Sequence, residues 1–175
     1  AISVYLPILL VSEYGLSRPD AGTRTAGFVA VATLARPIGG YLADRVGGAP
    51  ILNATFLVVA AFAVVLAFLP GMPILTVAFL GIAGMLGLGN GAVFKLVSSY
   101  FPAETGTVTG LVGAAGGLGG FFPPLVMGVV HDVTGSYAIA FMLLSEFALL
   151  CLVVNILVIQ HRASLLAPEE GEGSS

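Results

Sequence analysis

One arginine stands inside an otherwise apolar stretch. Phe28-Val-Ala-Val-Ala-Thr-Leu-Ala-Arg36-Pro37-Ile-Gly39-Gly40 leads into Tyr-Leu-Ala-Asp44-Arg45-Val-Gly47-Gly48. At helical spacing Thr33, Arg36 and Gly40 share a face, so the guanidinium projects beside one hydroxyl and one small residue. Pro37 withdraws a backbone donor next to it. Arg36 precedes Asp44 by eight residues, about 12 Å at ~1.5 Å per residue. A charge at such depth costs at least about 2.5–3.5 kcal/mol on insertion scales and marks function by default. A planar, permanently charged fork suits a small planar oxyanion held by paired hydrogen bonds. The alternative chemistry is a structural ion pair, for which Glu146 is the comparably buried acid. The residues alone leave both readings open.

Other positions could complete a site. Asn90 and Phe94 sit on one helix with Gly84, Gly87 and Gly91. Further on, Gly106, Gly110, Gly113, Gly117 and Gly120 recur at steps of four, three, four and three, with Gly116 and Gly119 widening the stripe toward Phe121-Phe122-Pro123-Pro124. Small-residue stripes let helices approach closely; glycines in a cavity wall also offer bare backbone to a ligand. Asp44 opposes the helix macrodipole at a C-terminus and calls for a partner such as Arg45 or another helix's N-terminus. Asp44-Arg45 reads either as a solvated turn or as a latch between helices. Lys95 lies near the same membrane face and can snorkel there. Glu146 is either a proton carrier or a hydrogen-bonded polar residue.

The elements that position these residues follow from composition. The chain is 58% hydrophobic and 9% charged, with 24 glycines and no tryptophan. Soluble domains carry about 25% charged residues, so the fold class is an all-α membrane protein. The net charge of −3 comes with no basic run that would suggest nucleic acid. The single cysteine, Cys151, builds no disulfide or metal framework. No cofactor, metal site or enzyme motif is expected: His131 and His161 fall at opposite membrane faces, and no GxSxG, CxxC or HExxH pattern occurs.

Spans are expected at about 1–12 (truncated, the chain starting inside a helix), 25–43, 51–69, 74–99, 105–130 and 137–160. Glu13–Arg24, Asp44–Pro50 and His131–Ser136 are expected as connections. Residues 1–162 form the transmembrane bundle, and 163–175 a disordered acidic cytoplasmic tail. Arg45, Lys95 and Arg162 fall on the face shared by the termini, against Arg18 and Arg24 opposite, so the positive-inside bias puts the termini in the cytoplasm.

Gly40-Tyr-Leu-Ala-Asp44-Arg45-Val-Gly47-Gly48 resembles the G-x-L-a-D-r-x-G signature of the major facilitator superfamily. Three more stretches are similar to its nitrate/nitrite porter family: Thr33–Gly40, Gly87–Lys95 and Gly113–Phe122, the last resembling that family's glycine-rich signature in helix eleven. The resemblance implies a six-helix bundle corresponding to the C-terminal half of a twelve-helix transporter, a fragment lacking its N-terminal half. It implies secondary active transport of nitrate or nitrite across the plasma membrane by alternating access. Arg36 then matches the arginine that clamps the anion, and Phe94, beside Asn90, the aromatic that stacks on it. Gly113, Gly116, Gly117 and Gly120 line the cavity. Gly40, Asp44 and Arg45 form a cytoplasmic gate. Glu146 enters only if transport is proton symport rather than exchange. A carrier of another small anion and a non-transporting scaffold subunit are the rival readings.

Overall fold

The computed structural model describes residues 2–166, which form six α-helices: α1 (Ile2–Ser12), α2 (Arg18–Val46), α3 (Gly48–Ala67), α4 (Met72–Tyr100), α5 (Thr105–Thr134) and α6 (Tyr137–Leu166). Among the described residues α2, α3, α4 and α6 each contain a segment long and apolar enough to cross a bilayer. The expected tail from 163 begins inside α6, and residues 167–175 lie outside the described residues.

Helices run further than their apolar segments, for local reasons. The expected loop Glu13–Arg24 is helical from Arg18. Ser17 caps α2: its hydroxyl oxygen accepts from the Asp20 backbone N–H at 3.3 Å and donates to Asp20 Oδ2 at 2.7 Å. Pro19 falls in the first turn, where its missing N–H is no loss; it opens the helix instead of breaking it. The expected Asp44–Pro50 turn contracts to a single residue, Gly47, at φ 88°. Likewise His131–Thr134 continues α5 until Gly135, at φ 67°, stops it with a left-handed cap. Pro37 stays inside α2 without ending it.

Lipid offers no hydrophobic drive for helices to associate, so close packing must supply it. The glycines of α4 do so. A Cβ on Gly87 would lie 2.6 Å from Ala35 Cβ and would strike the Ala32 carbonyl; one on Gly91 would strike the Arg36 carbonyl and lie 2.7 Å from Gly40 N. On α2, Gly39 has the same relation to the Leu88 backbone. Residues 32 and 36 thus meet 87 and 91 in ascending order, so α2 and α4 run parallel with their backbones in contact.

α3 crosses α4 the other way. Thr55 packs against Gly89 and donates its hydroxyl to Met85 O at 3.2 Å, and Phe62 covers Gly81. α6 lies antiparallel on α3. The Ser145 hydroxyl donates to Ala60 O at 3.1 Å in the buried interior, and Asn155 Nδ2 donates to Asn53 Oδ1 at 2.9 Å and to Ala49 O at 3.3 Å. Edge-to-face contacts Phe28–Phe79 (6.2 Å) and Phe79–Phe141 (6.1 Å) join α2, α4 and α6 through one core. Such pairs contribute about 0.5–1.5 kcal/mol each beyond the area they bury.

Candidate functional site

The α2–α4 contact decides where the arginine goes. Because the Arg36 carbonyl is pressed against Gly91, its side chain leaves along the flank of the helix pair, and it is exposed. A helix turns by about 100° per residue. On two parallel helices meeting at 36 and 91, that rotation puts Arg36 and Gly40 on the same flank as Asn90 and Phe94. Asn90 is exposed there, and Phe94 is 38% exposed. A guanidinium, an amide and an aromatic side chain therefore fall on one flank of the α2–α4 pair.

Among the described residues Arg36 has no ion-pair partner. Among the described residues the ion pairs are Lys95–Asp44 and His131–Asp132; neither involves Arg36. Glu146, expected as a buried acid, is exposed on α6. Its neighbour Ser145 turns inward to α3, and one residue further round the helix the carboxylate points out. Periodicity placed Glu146 in an apolar span but did not say which side of the helix it occupies.

The two glycine stripes separate into different jobs. Gly87 and Gly91 pack against α2, whereas Gly84 meets nothing within 4 Å. On α5, an added Cβ at Gly106, Gly110, Gly113, Gly116, Gly117, Gly119 or Gly120 would likewise meet nothing within 4 Å. Those α5 glycines are exposed. The close-approach explanation holds for Gly87 and Gly91 of α4 and has no counterpart among the α5 glycines from Gly106 to Gly120. Phe121 and Phe122 continue this open helix with their rings 5.6 Å apart.

Beneath the arginine, Asp44 does find a partner, though not the ones its neighbourhood suggested. Lys95 Nζ lies 2.6 Å from Asp44 Oδ1. Arg45 instead sets its guanidinium 4.7 Å over the Tyr41 ring, one turn back on α2. Gly40 sits 3.9 Å from the Gly91 carbonyl by the same Cβ measure. Lys95 was missed as the partner, yet a signal existed: it is the only cation of α4 and lies at the depth of Asp44. What the sequence lacked was the register of α4 on α2.

Comparison with known proteins identifies the family. Residues 1–174 match the Major Facilitator Superfamily. The nitrite extrusion protein of Bacillus subtilis (strain 168) is 49% identical over 156 residues, covering 89% of this chain and 40% of that relative. The probable nitrate transporter NarT of Staphylococcus haemolyticus (strain JCSC1435) is 43% identical over 150 residues, 86% of this chain and 39% of the relative. NarT of Staphylococcus aureus (strain JH9) is 43% identical over 149 residues, 85% and 38%. The chain thus spans about two fifths of the length of these relatives. With apolar helices long enough to cross a bilayer among its described residues and a family match over nearly its whole length, the chain is a multi-pass membrane protein and belongs to the Major Facilitator Superfamily.

Proposed function

We propose that this chain is the C-terminal six-helix bundle of a transporter of nitrate or nitrite, working by alternating access between two bundles. The observation that carries the reading is Arg36: a guanidinium without a carboxylate partner among the described residues, displayed with Asn90 and Phe94 on an open flank. An unpaired intramembrane cation is costly unless a ligand or a counter-charge completes it. A planar oxyanion does so by accepting two parallel N–H bonds, with the Phe94 ring against its face. The names of the relatives support nitrate and nitrite as the anions.

The bare α5 stripe at Gly113, Gly116, Gly117 and Gly120 supports a surface met by something outside this bundle. In this reading it meets the N-terminal half and the substrate cavity, and that half contributes a second arginine. The Gly40–Asp44–Arg45 turn closes the cytoplasmic side. The protein lies in the plasma membrane, both ends of this bundle and the acidic tail being cytoplasmic.

Uptake by the intact transporter in proteoliposomes tests the proposal. Arg36→Lys abolishes nitrate and nitrite uptake if the site is bidentate, because lysine cannot present the fork. Unimpaired uptake with lysine overturns it. Competition by nitrate, nitrite, formate and small carboxylates separates this reading from a carrier of another anion. Glu146→Gln leaves uptake intact if the mode is exchange; loss of pH-driven uptake with exchange preserved identifies proton symport.

A further inference from the structure

At the far end of α5, three helices meet in a cluster that plays no part in the anion site. The His131 ring stacks on Tyr137 of α6, with centroids 4.1 Å apart and planes 27° from parallel. His131 Nδ1 lies 3.9 Å from Asp132 Oδ1. Tyr137 is 3% exposed. Its ring meets that of Tyr5 of α1 edge-on at 6.3 Å, and its hydroxyl stands 3.3 Å from Ser12 Oγ. The Tyr5 hydroxyl in turn reaches Gly128, where an added Cβ would lie 2.8 Å from it. The His131 side chain keeps 31% of its surface exposed, enough to exchange protons with solvent.

This cluster matters because the glycine stripe of α5 does not hold the helix: from Gly106 to Gly120 none of its glycines has a neighbour within 4 Å of an added Cβ, whereas Gly128 and His131 meet α1 and α6. We infer that His131 is a positioning residue, a proton-sensitive clamp that fixes the end of α5 to α1 and α6 and thereby sets the glycine wall. Protonated, the imidazolium attracts both Asp132 and the π-face of Tyr137; neutral, it retains only the stack. The other ionisable groups gathered here, Asp132 from α5, Tyr137 from α6 and Tyr5 from α1, are a carboxylic acid and phenols; imidazole is the side-chain type suited to change charge between pH 5 and 8. The inference rests on the transport reading only for its consequence, since the clamp itself is a matter of geometry.

Spin labels at Val64→Cys on α3 and Val126→Cys on α5, in the intact protein with Cys151→Ser and no other cysteine, report the position of α5 by pulsed-dipolar distance measurement. As pH falls from 8 to 5 the distance distribution narrows. His131→Phe keeps a stacking ring and loses the pH response, and His131→Gln, the second variant, also loses it. Tyr137→Phe keeps the ring and the response. Asp132→Asn weakens the narrowing. A flat titration in the unsubstituted protein, or a titration that survives both His131 variants, overturns the clamp. The measurement needs no nitrate: failure of Arg36→Lys to impair uptake would overturn the transport reading and leave this titration untouched.

Discussion

Lys95 Nζ and Asp44 Oδ1 stand 2.6 Å apart, so the lone cation of α4 is tied to the carboxylate that ends the apolar part of α2. The pair continues a parallel contact begun one and two turns earlier by Gly91 and Gly87. It also balances a carboxylate that the α2 macrodipole would otherwise repel. Both side chains remain partly exposed, at 41% and 51%. The bridge therefore belongs with surface pairs, whose contribution is about 0.2–1 kcal/mol.

Breaking the bridge should consequently cost little stability. Lys95→Met and Asp44→Asn are expected to lower the thermal midpoint in detergent by a few degrees at most. The effect should shrink between low and high salt, because exposed pairs are screened. Exchanging the charges, with Lys95→Asp and Asp44→Lys together, should recover most of the loss. A large, salt-independent drop would show that Lys95 acts through packing.

Glycine-to-alanine substitutions should divide the two stripes cleanly. Gly91→Ala drives a methyl into the Arg36 carbonyl, and overpacking of this kind costs about 1–3 kcal/mol. Gly117→Ala enters open space and should leave the fold unchanged, or slightly firmer through helix propensity. Thermal unfolding of the two variants checks this. If Gly117→Ala nevertheless abolishes uptake, the stripe faces a substrate or a partner bundle, as proposed.

Arg36 should matter to ligand binding and not to folding. With no carboxylate partner to orphan, Arg36→Lys is expected to match the parent in thermal midpoint without ligand. Nitrate at 100 times its Kd should stabilise the parent by about 2.7 kcal/mol and the variant negligibly. Equal stabilisation of both would remove Arg36 from the site.

The buried Ser145 hydroxyl tests the α3–α6 seam. Ser145→Ala removes its bond to Ala60 O. Interhelical hydrogen bonds in membrane proteins average about 0.6 kcal/mol, so a loss of that order is expected in an unfolding titration. Ser145→Val should cost more, since the site is closed around the smaller side chain.

Alkaline pH should loosen the junction between the α1–α2 and α3–α4 connections. The Tyr14 hydroxyl donates to Pro70 O at 2.7 Å. Burial, and then the Glu13 carboxylate beside it, push the Tyr14 phenol above its ordinary value. A phenol whose folded pKa is raised favours folding in its neutral form. Its contribution is complete below the unfolded value near ~10 and is lost as pH rises through the folded one. Tyr14→Phe should be less stable than the parent at neutral pH by about 1 kcal/mol, and that difference should shrink as pH rises beyond the ordinary phenol value near ~10 and through the raised folded one.

Much of this was legible in the chain itself. Low charge and long apolar runs dictate helices in a membrane, because a bilayer leaves the backbone no other partner for its polar groups. The rarity of charge made Arg36 conspicuous, and the Gly40–Gly48 signature with the Gly113–Phe122 stripe pointed to the superfamily. Helix ends were read less well. Ser17-Arg18-Pro19-Asp20 looks like loop by composition and is a helix start by capping chemistry.

What the sequence could not decide is which faces meet. Gly91 and Gly117 are the same residue type at the same spacing, yet one is pressed against a neighbouring backbone and the other meets nothing. Glu146 sits in an apolar helix but points outward, and Asp44 pairs with a lysine 51 positions away in place of the arginine beside it. Local composition specifies the element and its depth in the bilayer. Partners depend on rotation about the helix axis and on register between helices, and those are set by the packing of whole surfaces, α2 on α4 and α3 on α6. The sequence by itself therefore determined the solvent, the helices and the charge that has to be answered; the tertiary structure decided that nothing within these described residues answers Arg36.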